Sequence, residues 1–168
     1  MVTTIRFTDT ELENATDFAA RRAVDQPDNR GISQSPEEHK RNLRVGRLGK
    51  IAFAKYLQSQ GKHHLDMKDW KDMYSADQMD FPTQTGATID VKTASRRYQT
   101  RILVPEDEYH DNPKDYYVGV EIDIDNDRAR IRGYALWEEF DPFDGVHYPA
   151  YAVNLKDLNP IDELLSEF

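Results

Sequence analysis

The sequence predicts one α/β (α+β) domain in which helices flank a central mixed sheet of about five strands. The chain has 168 residues, which is enough to bury one core and too few for a second full domain. Helix-start signals stand in the first third of the sequence, and β-rich alternating runs follow them. Hydrophobic residues make up 38% and aromatic residues 11% of the chain, which excludes a disordered polyelectrolyte.

Two helices are predicted before the sheet. A capping-box pattern at Thr10–Glu13 opens a helix that runs to about Val24. The second start signal is stronger, because Ser35 is a good N-cap, Pro36 suits the first helical position and Glu38 follows three residues after the cap. A long helix over 36–59 is therefore expected.

The β-rich runs end at turn residues and are predicted to form strands. They span 79–81, 87–93, 101–104, 116–122, 129–137 and 148–155. The two runs on either side of Asp125–Asp127 are expected to pair as an antiparallel hairpin. Asn159 and Pro160 then open a short final helix.

The chain is expected to be a single cytoplasmic domain, 1–168. It divides into a helical extension at 1–35, a core at 36–137 and a C-terminal segment at 138–168 that packs on the core. There are no cysteines, which excludes disulfides and thiolate metal sites and fits a reducing compartment. No apolar run approaches the roughly 18 residues of a membrane span, so no membrane partner is predicted.

The distribution of charge predicts a basic surface on an acidic protein. The formal net charge is -9, which by itself argues against a nucleic-acid partner. Residues 39–62 and 91–105, however, contain basic side chains and no Asp or Glu, and two such segments can form one patch that attracts a polyanion. The candidate nucleic-acid contacts are Arg44, Arg47, Lys50, Arg96 and Arg97.

Asp90 and Lys92 are the candidate catalytic pair. On a strand, side chains two residues apart project from the same face, so this carboxylate and this ammonium group are expected to lie side by side. The Asp-x-Lys spacing alone carries little information, since it also occurs at 66–68 and 69–71. Only the copy at Asp90 lies in a β-branched alternating run.

A second carboxylate is needed if the pair is to bind a hard divalent cation, which takes oxygen ligands from more than one residue. Asp80 is the preferred candidate, because a turn centred on Gly86 can fold its segment back beside Asp90; Asp77 is the rival. We expect Mg²⁺, or Mn²⁺ as a substitute, to be held by Asp80, Asp90 and the main-chain carbonyl of Val91. Lys92 would then position or deprotonate a water molecule and offset charge on phosphorus.

Four segments carry a resemblance to a known family: 46–57, 80–81, 88–93 and 115–120. Over about residues 42 to 137 the chain resembles the PD-(D/E)XK nuclease superfamily, in particular its small phage, archaeal and mobile-element members. The resemblance implies a restriction-endonuclease-like core and a magnesium-dependent DNA endonuclease. By position, Asp80 matches the first acidic ligand, Asp90 the second acid and Lys92 the catalytic lysine.

The sequence departs from this pattern at Lys50, where many such nucleases carry a Glu. Two interpretations follow: one-metal catalysis with Lys50 on a phosphate, or an inactive nuclease fold that binds nucleic acid. A third function, outside nucleic acids, is an acidic interaction module in which residues 106–127 dock a basic partner. Because double-strand cleavage by one small site usually calls for a dimer, a homodimer is also expected.

Overall fold

In the computed structural model, residues 2–25, 35–62, 81–95 and 99–168 are described. Their helices and strands, in chain order, are β1 (Thr3–Arg6), α1 (Asp9–Asp25), α2 (Pro36–Ser59), β2 (Ile89–Ser95), β3 (Arg101–Pro105), α3 (Glu106–Asp111), β4 (Tyr116–Asp123), β5 (Arg128–Leu136), β6 (Asp141–Phe143) and β7 (Ala150–Asn154). Short 3-10 helices span Ile124–Asn126, Trp137–Glu139, Leu155–Asp157 and Ile161–Glu167. Within these ranges, no helix has the length and apolar character needed to cross a bilayer.

The described strands form two sheets. Sheet A has the order β1, β5, β4, β2; β2 runs parallel to β4, and the other neighbours are antiparallel. Sheet B has the order β3, β7, β6 and is antiparallel. The mixed α/β class and the mixed central sheet are therefore confirmed. Where about five strands were expected in the central sheet, the described part of the chain places four there, and β3 and β7 pair with each other in a second sheet.

Most of the predicted elements are present. The Ser35 side chain accepts a hydrogen bond from the Glu38 amide, and the Glu38 carboxylate accepts one from the Ser35 amide, so α2 begins where the capping box predicts. The first helix begins one residue after Thr8, which forms the reciprocal box with Glu11; Thr10 is therefore not the cap. The predicted hairpin is formed by β4 and β5, whose turn contains Asp127 at φ 49°.

Sheet A buries different residues on its two faces. On one face, Val91, Val118 and Ile131 pack with the apolar residues of α2 and with the C-terminal segment around Leu164. On the other face, Ala94, Tyr117 and Ala135 pack with residues of sheet B and with α3, including Ile102, Val104 and Tyr109. Because side chains alternate along a strand, β2 turns residues 91 and 93 towards α2 and residues 90, 92 and 94 towards sheet B.

The closest approach of α2 to the sheet occurs at Gly49. A Cβ atom at this position would overlap the Thr93 Cγ2 atom and would lie 3.5 Å from Val91 Cγ1. Thr93 is β-branched and has little rotamer freedom, so it cannot move aside cheaply. The absence of a side chain at Gly49 therefore sets the distance between α2 and β2. Gly46, one turn earlier, has nothing within 4 Å of its virtual Cβ atom.

We predict opposite effects for alanine at these two glycines. Gly49→Ala is expected to lower the free energy of unfolding by about 1–3 kcal/mol, because the added methyl group forces α2 away from β2. Gly46→Ala is expected to raise it by about 0.5–1 kcal/mol, because alanine restricts the unfolded chain and favours the helix. Urea denaturation measures both values. Equal changes in the two variants would contradict the proposed close approach.

Candidate active site

Asp90 and Lys92 form an ion pair on the face of β2 that is turned towards sheet B. The Lys92 Nζ atom lies 2.9 Å from Asp90 Oδ2. The two side chains are only 18% and 17% exposed, while Val91 between them is buried in the core on the other face. Strand alternation thus brings the carboxylate and the ammonium group together at the boundary between core and solvent.

Glu108 of α3 is a third member of this cluster. Both of its carboxylate oxygens lie 3.0 Å from Lys92 Nζ, and its side chain is 32% exposed. The sequence did not single out this residue. It stands in the acidic run 106–127, and nothing in its local pattern separates it from Glu106 or Asp107, because its contact with Lys92 is made by the tertiary fold.

The surroundings of Lys92 keep its side chain charged. Burial has the largest single effect and lowers the pKa of Lys92, but the carboxylates of Asp90 and Glu108 together outweigh it, so the pKa lies above its ordinary value. At neutral pH the side chain is therefore an ammonium ion. With both carboxylates ionised, the three groups carry a net charge of about -1.

The backbone of Val91 faces the outer edge of β2. Its amide donates a hydrogen bond of 2.9 Å to Asp90 Oδ1. The Thr88 carbonyl accepts from the Tyr116 amide of β4, so by alternation the backbone groups of residue 90 face β4 and those of residue 91 face away. The amide and the carbonyl of one strand residue point to the same side of the strand, so the Val91 carbonyl also points to this edge. The Asp90 carboxylate and the Val91 carbonyl are oxygen donors, as a hard divalent cation requires.

The segment expected to carry the first acidic ligand is only partly described. Asp80 and its rival Asp77 lie outside the described residues. Phe81 is buried against Phe53, with ring centroids 4.9 Å apart, and belongs to the core on the α2 face. The residues from Phe81 to Thr88 form a loop, so the part of the predicted 79–81 strand that is described is not a strand. In the described ranges, no group of three or more His, Asp or Glu residues is arranged to hold a metal ion.

An aromatic stack fixes the position of α3. The Tyr109 ring lies between Trp137 and Tyr151, with centroid distances of 4.6 Å and 3.7 Å. The Tyr109 hydroxyl donates to the Trp137 carbonyl at 3.1 Å, and the Trp137 indole donates to the Tyr109 carbonyl at 2.9 Å. The short helix that carries Glu108 is thus fixed through the next residue, Tyr109, whose ring is packed on both faces.

Glu121 is a further carboxylate on β4, the strand that pairs with β2. It lies two residues beyond Gly119, the register partner of Lys92, on β4. Its carboxylate is buried and is bound by Arg130 at 3.3 Å and Arg132 at 3.0 Å, both on β5. Its charge is therefore balanced within sheet A.

Arg47 does not have the setting of a nucleic-acid contact. It is 2% exposed, its Nε atom donates to Asn14 Oδ1 at 3.2 Å, and its guanidinium carbon lies 4.8 Å from the centre of the Phe18 ring. Burial lowers its pKa to about 10. The predicted contact between Arg47 and nucleic acid does not agree with this position, in which the side chain joins α2 to α1.

The other predicted contacts divide between the two sides of sheet A. Arg44 and Lys50 are half-buried on α2, which packs against the face of β2 opposite to Asp90 and Lys92. Arg96 and Arg97 follow β2 and lie outside the described residues. The described part of the chain therefore does not bring the basic side chains and the catalytic candidates into one cluster.

Neither protein-family profiles, nor curated proteins, nor solved structures give a match to this chain.

We predict that Arg47 contributes to stability. Arg47→Ala is expected to lower the free energy of unfolding by about 2 kcal/mol, because it empties a buried site and removes the hydrogen-bond donor to Asn14. Arg41→Ala, at an exposed position of the same helix, is the matched control and should change it by less than about 0.5 kcal/mol. Urea denaturation of both variants checks this, and a neutral effect of Arg47→Ala would refute it.

Proposed function

We propose that this chain is a nuclease that hydrolyses phosphodiester bonds in DNA and depends on a divalent cation, Mg²⁺ or Mn²⁺. The observation that carries the proposal is the Asp90–Lys92 pair, in which a carboxylate and a charged ammonium group lie 2.9 Å apart on a rigid strand. The side chains of Asp90 and Lys92 are 18% and 17% exposed, so neither is fully enclosed by the core. Phosphoryl chemistry needs this combination of an oxygen ligand and a cationic group.

Asp90, the Val91 carbonyl and Asp80 are the proposed cation ligands. Asp90 and Val91 support this role because both present oxygen atoms near the outer edge of β2. Asp80 is included among these ligands on its position in the sequence alone. A bound Mg²⁺ supplies Lewis-acid polarisation of the phosphate and lowers the pKa of a water molecule.

Lys92 is proposed to stabilise the negative charge that develops on the phosphate oxygens. The sequence left open whether Lys92 positions or deprotonates the water molecule, and it also gave Lys92 the role of offsetting charge on phosphorus. A raised pKa favours the charged form, which donates hydrogen bonds and accepts no proton. At neutral pH, Lys92 thus acts as a fixed positive charge beside the scissile phosphate.

The parallel pairing of β2 with β4, with α2 packed on one face of the mixed sheet, supports a restriction-endonuclease-like core as the finer description of the fold. Arg44 and Lys50 on α2, and Arg96 and Arg97 after β2, are the proposed contacts to the DNA backbone. Arg47 is left out of this set because it is buried.

A second candidate function is binding of nucleic acid without cleavage. Lys50 favours it, since a cation stands where the resemblance implies a Glu. This function predicts DNA binding that weakens with salt and does not depend on a divalent cation. The acidic interaction module has less support, because two carboxylates of the acidic run, Glu121 and Asp123, are bound within the chain by arginines.

Plasmid cleavage tests the proposed nuclease. With supercoiled DNA and Mg²⁺ or Mn²⁺, we expect nicking or linearisation that EDTA abolishes. Asp90→Asn and Lys92→Met should each lower the cleavage rate at least roughly 100-fold, because each removes a group that acts on the reacting phosphate. Asp144→Asn, at an exposed position in the loop between β6 and β7, should cleave as the native chain does.

Equal and negligible cleavage in the presence and absence of the cation would reject the nuclease. If the native chain nevertheless binds DNA in a salt-sensitive way, the binding function takes its place. Full activity of the Asp90→Asn variant would show that cleavage, if present, comes from another site or from a contaminant.

A further inference from the structure

Lys92 has two carboxylate partners, although the strand spacing supplies only one. Asp90 lies two residues away on β2, whereas Glu108 comes from α3 and reaches the ammonium group from a separate element. Glu108 makes the larger number of contacts, because both of its oxygens lie 3.0 Å from Nζ. This arrangement places the ammonium group between two elements rather than beside one strand.

A lysine held by its own strand alone would be poorly fixed. The side chain has a flexible four-carbon stem, and ordering it costs rotamer entropy. Asp90 is also the proposed cation ligand, so its Oδ2 atom is needed by the cation and by Lys92 at the same time. A partner that does not bind the cation would keep Lys92 in place when Asp90 changes partner.

Glu108 is well placed for this role because its backbone is anchored independently of Lys92. The following residue, Tyr109, is stacked between two aromatic rings, and the Glu106 amide donates to the Pro149 carbonyl at 3.0 Å. The helix that carries Glu108 is therefore held to sheet B and to the 3-10 turn Trp137–Glu139 by contacts that do not involve the site.

We propose that Glu108 is a positioning residue of this site, which holds the Lys92 ammonium group through both carboxylate oxygens and leaves Asp90 available to the cation. The effect on catalysis rests on the proposed nuclease function; the fixing of Lys92 does not. Glu108 acts through Lys92 and is not itself assigned to the cation.

The first measurement observes the lysine directly, in cation-free protein, through the ¹⁵N signals of side-chain ammonium groups in solution. The Lys92 ammonium group should show restricted motion. Its nitrogen should also show a scalar coupling, through the hydrogen bond, to the Glu108 carboxyl carbon. Lys92→Met assigns the signal by removing it. In Glu108→Gln the coupling should vanish and the group should become mobile. Glu106→Gln, on the same helix and 52% exposed, should leave the signal unchanged.

The second measurement is cleavage kinetics with Mg²⁺ and plasmid DNA. Glu108→Gln should lower kcat about 10-fold with KM changed less than about twofold, as expected when a group that orients a transition-state contact is lost. Adding Glu108→Gln to Lys92→Met should cause little further loss, because the residue acts through the lysine. Glu106→Gln should retain native kinetics.

The outcomes separate this inference from the nuclease itself. An unchanged Lys92 signal in Glu108→Gln overturns the positioning role whether or not DNA is cut. The full 10-fold loss in the Lys92→Met background also overturns it, since Glu108 would then act directly on cation or substrate. If the native chain does not cleave, the nuclease proposal fails, while the ammonium signal still decides whether Glu108 holds Lys92.

Discussion

The parallel pairing of β2 with β4 is the constraint on which the rest of the structure depends. Two parallel neighbours cannot be joined by a tight turn, so the chain between them must cross from one end of the sheet to the other. Here the crossing segment, residues 96–115, contains β3 and α3. β3 does not join sheet A but pairs with β7, and the second sheet then covers the face from which Asp90 and Lys92 project. The connection that parallel pairing requires is thus also the segment that brings Glu108 to the site.

The charges on this face are tolerated because they are paired. Tyr117, fully buried, belongs to the same face as Asp90 and Lys92, and an isolated charge beside it would be costly. One ammonium group between two carboxylates lowers the free-energy cost of burying these charges, but it leaves about one negative charge uncompensated. A divalent cation at the outer edge of β2 would more than balance that charge, and displacement of Lys92 from Asp90 would then carry little penalty as long as Glu108 retains it. The electrostatics of the cluster and its proposed chemistry therefore agree.

The sequence predicted the helices and strands more accurately than it predicted which of them pack together. The boundaries of α2 followed from Ser35 and Glu38 because a capping box is made by residues three apart in the sequence. Alternation assigned β2 and the shared face of Asp90 and Lys92, but it cannot say which strand lies beside it or what covers that face, so the second sheet was missed. β1 has only four residues with one of them buried, too short a pattern to recognise. Arg47 looked like part of a basic surface because charge is visible in a sequence and burial against α1 is not.

Tertiary packing, which the sequence does not reveal, also matters at position 50, where the resemblance implies a glutamate and the chain has a lysine. Gly49 brings α2 against Thr93 and Val91, the residues of β2 that point away from Asp90 and Lys92. A side chain on α2 therefore starts from the opposite face of the sheet, whereas Glu108 starts from the face to which Lys92 points. A carboxylate that is needed to hold the lysine is better supplied from α3 than from α2. With Glu108 bound to Lys92, a lysine in place of a glutamate at position 50 removes no contact that Lys92 makes with Asp90 or Glu108.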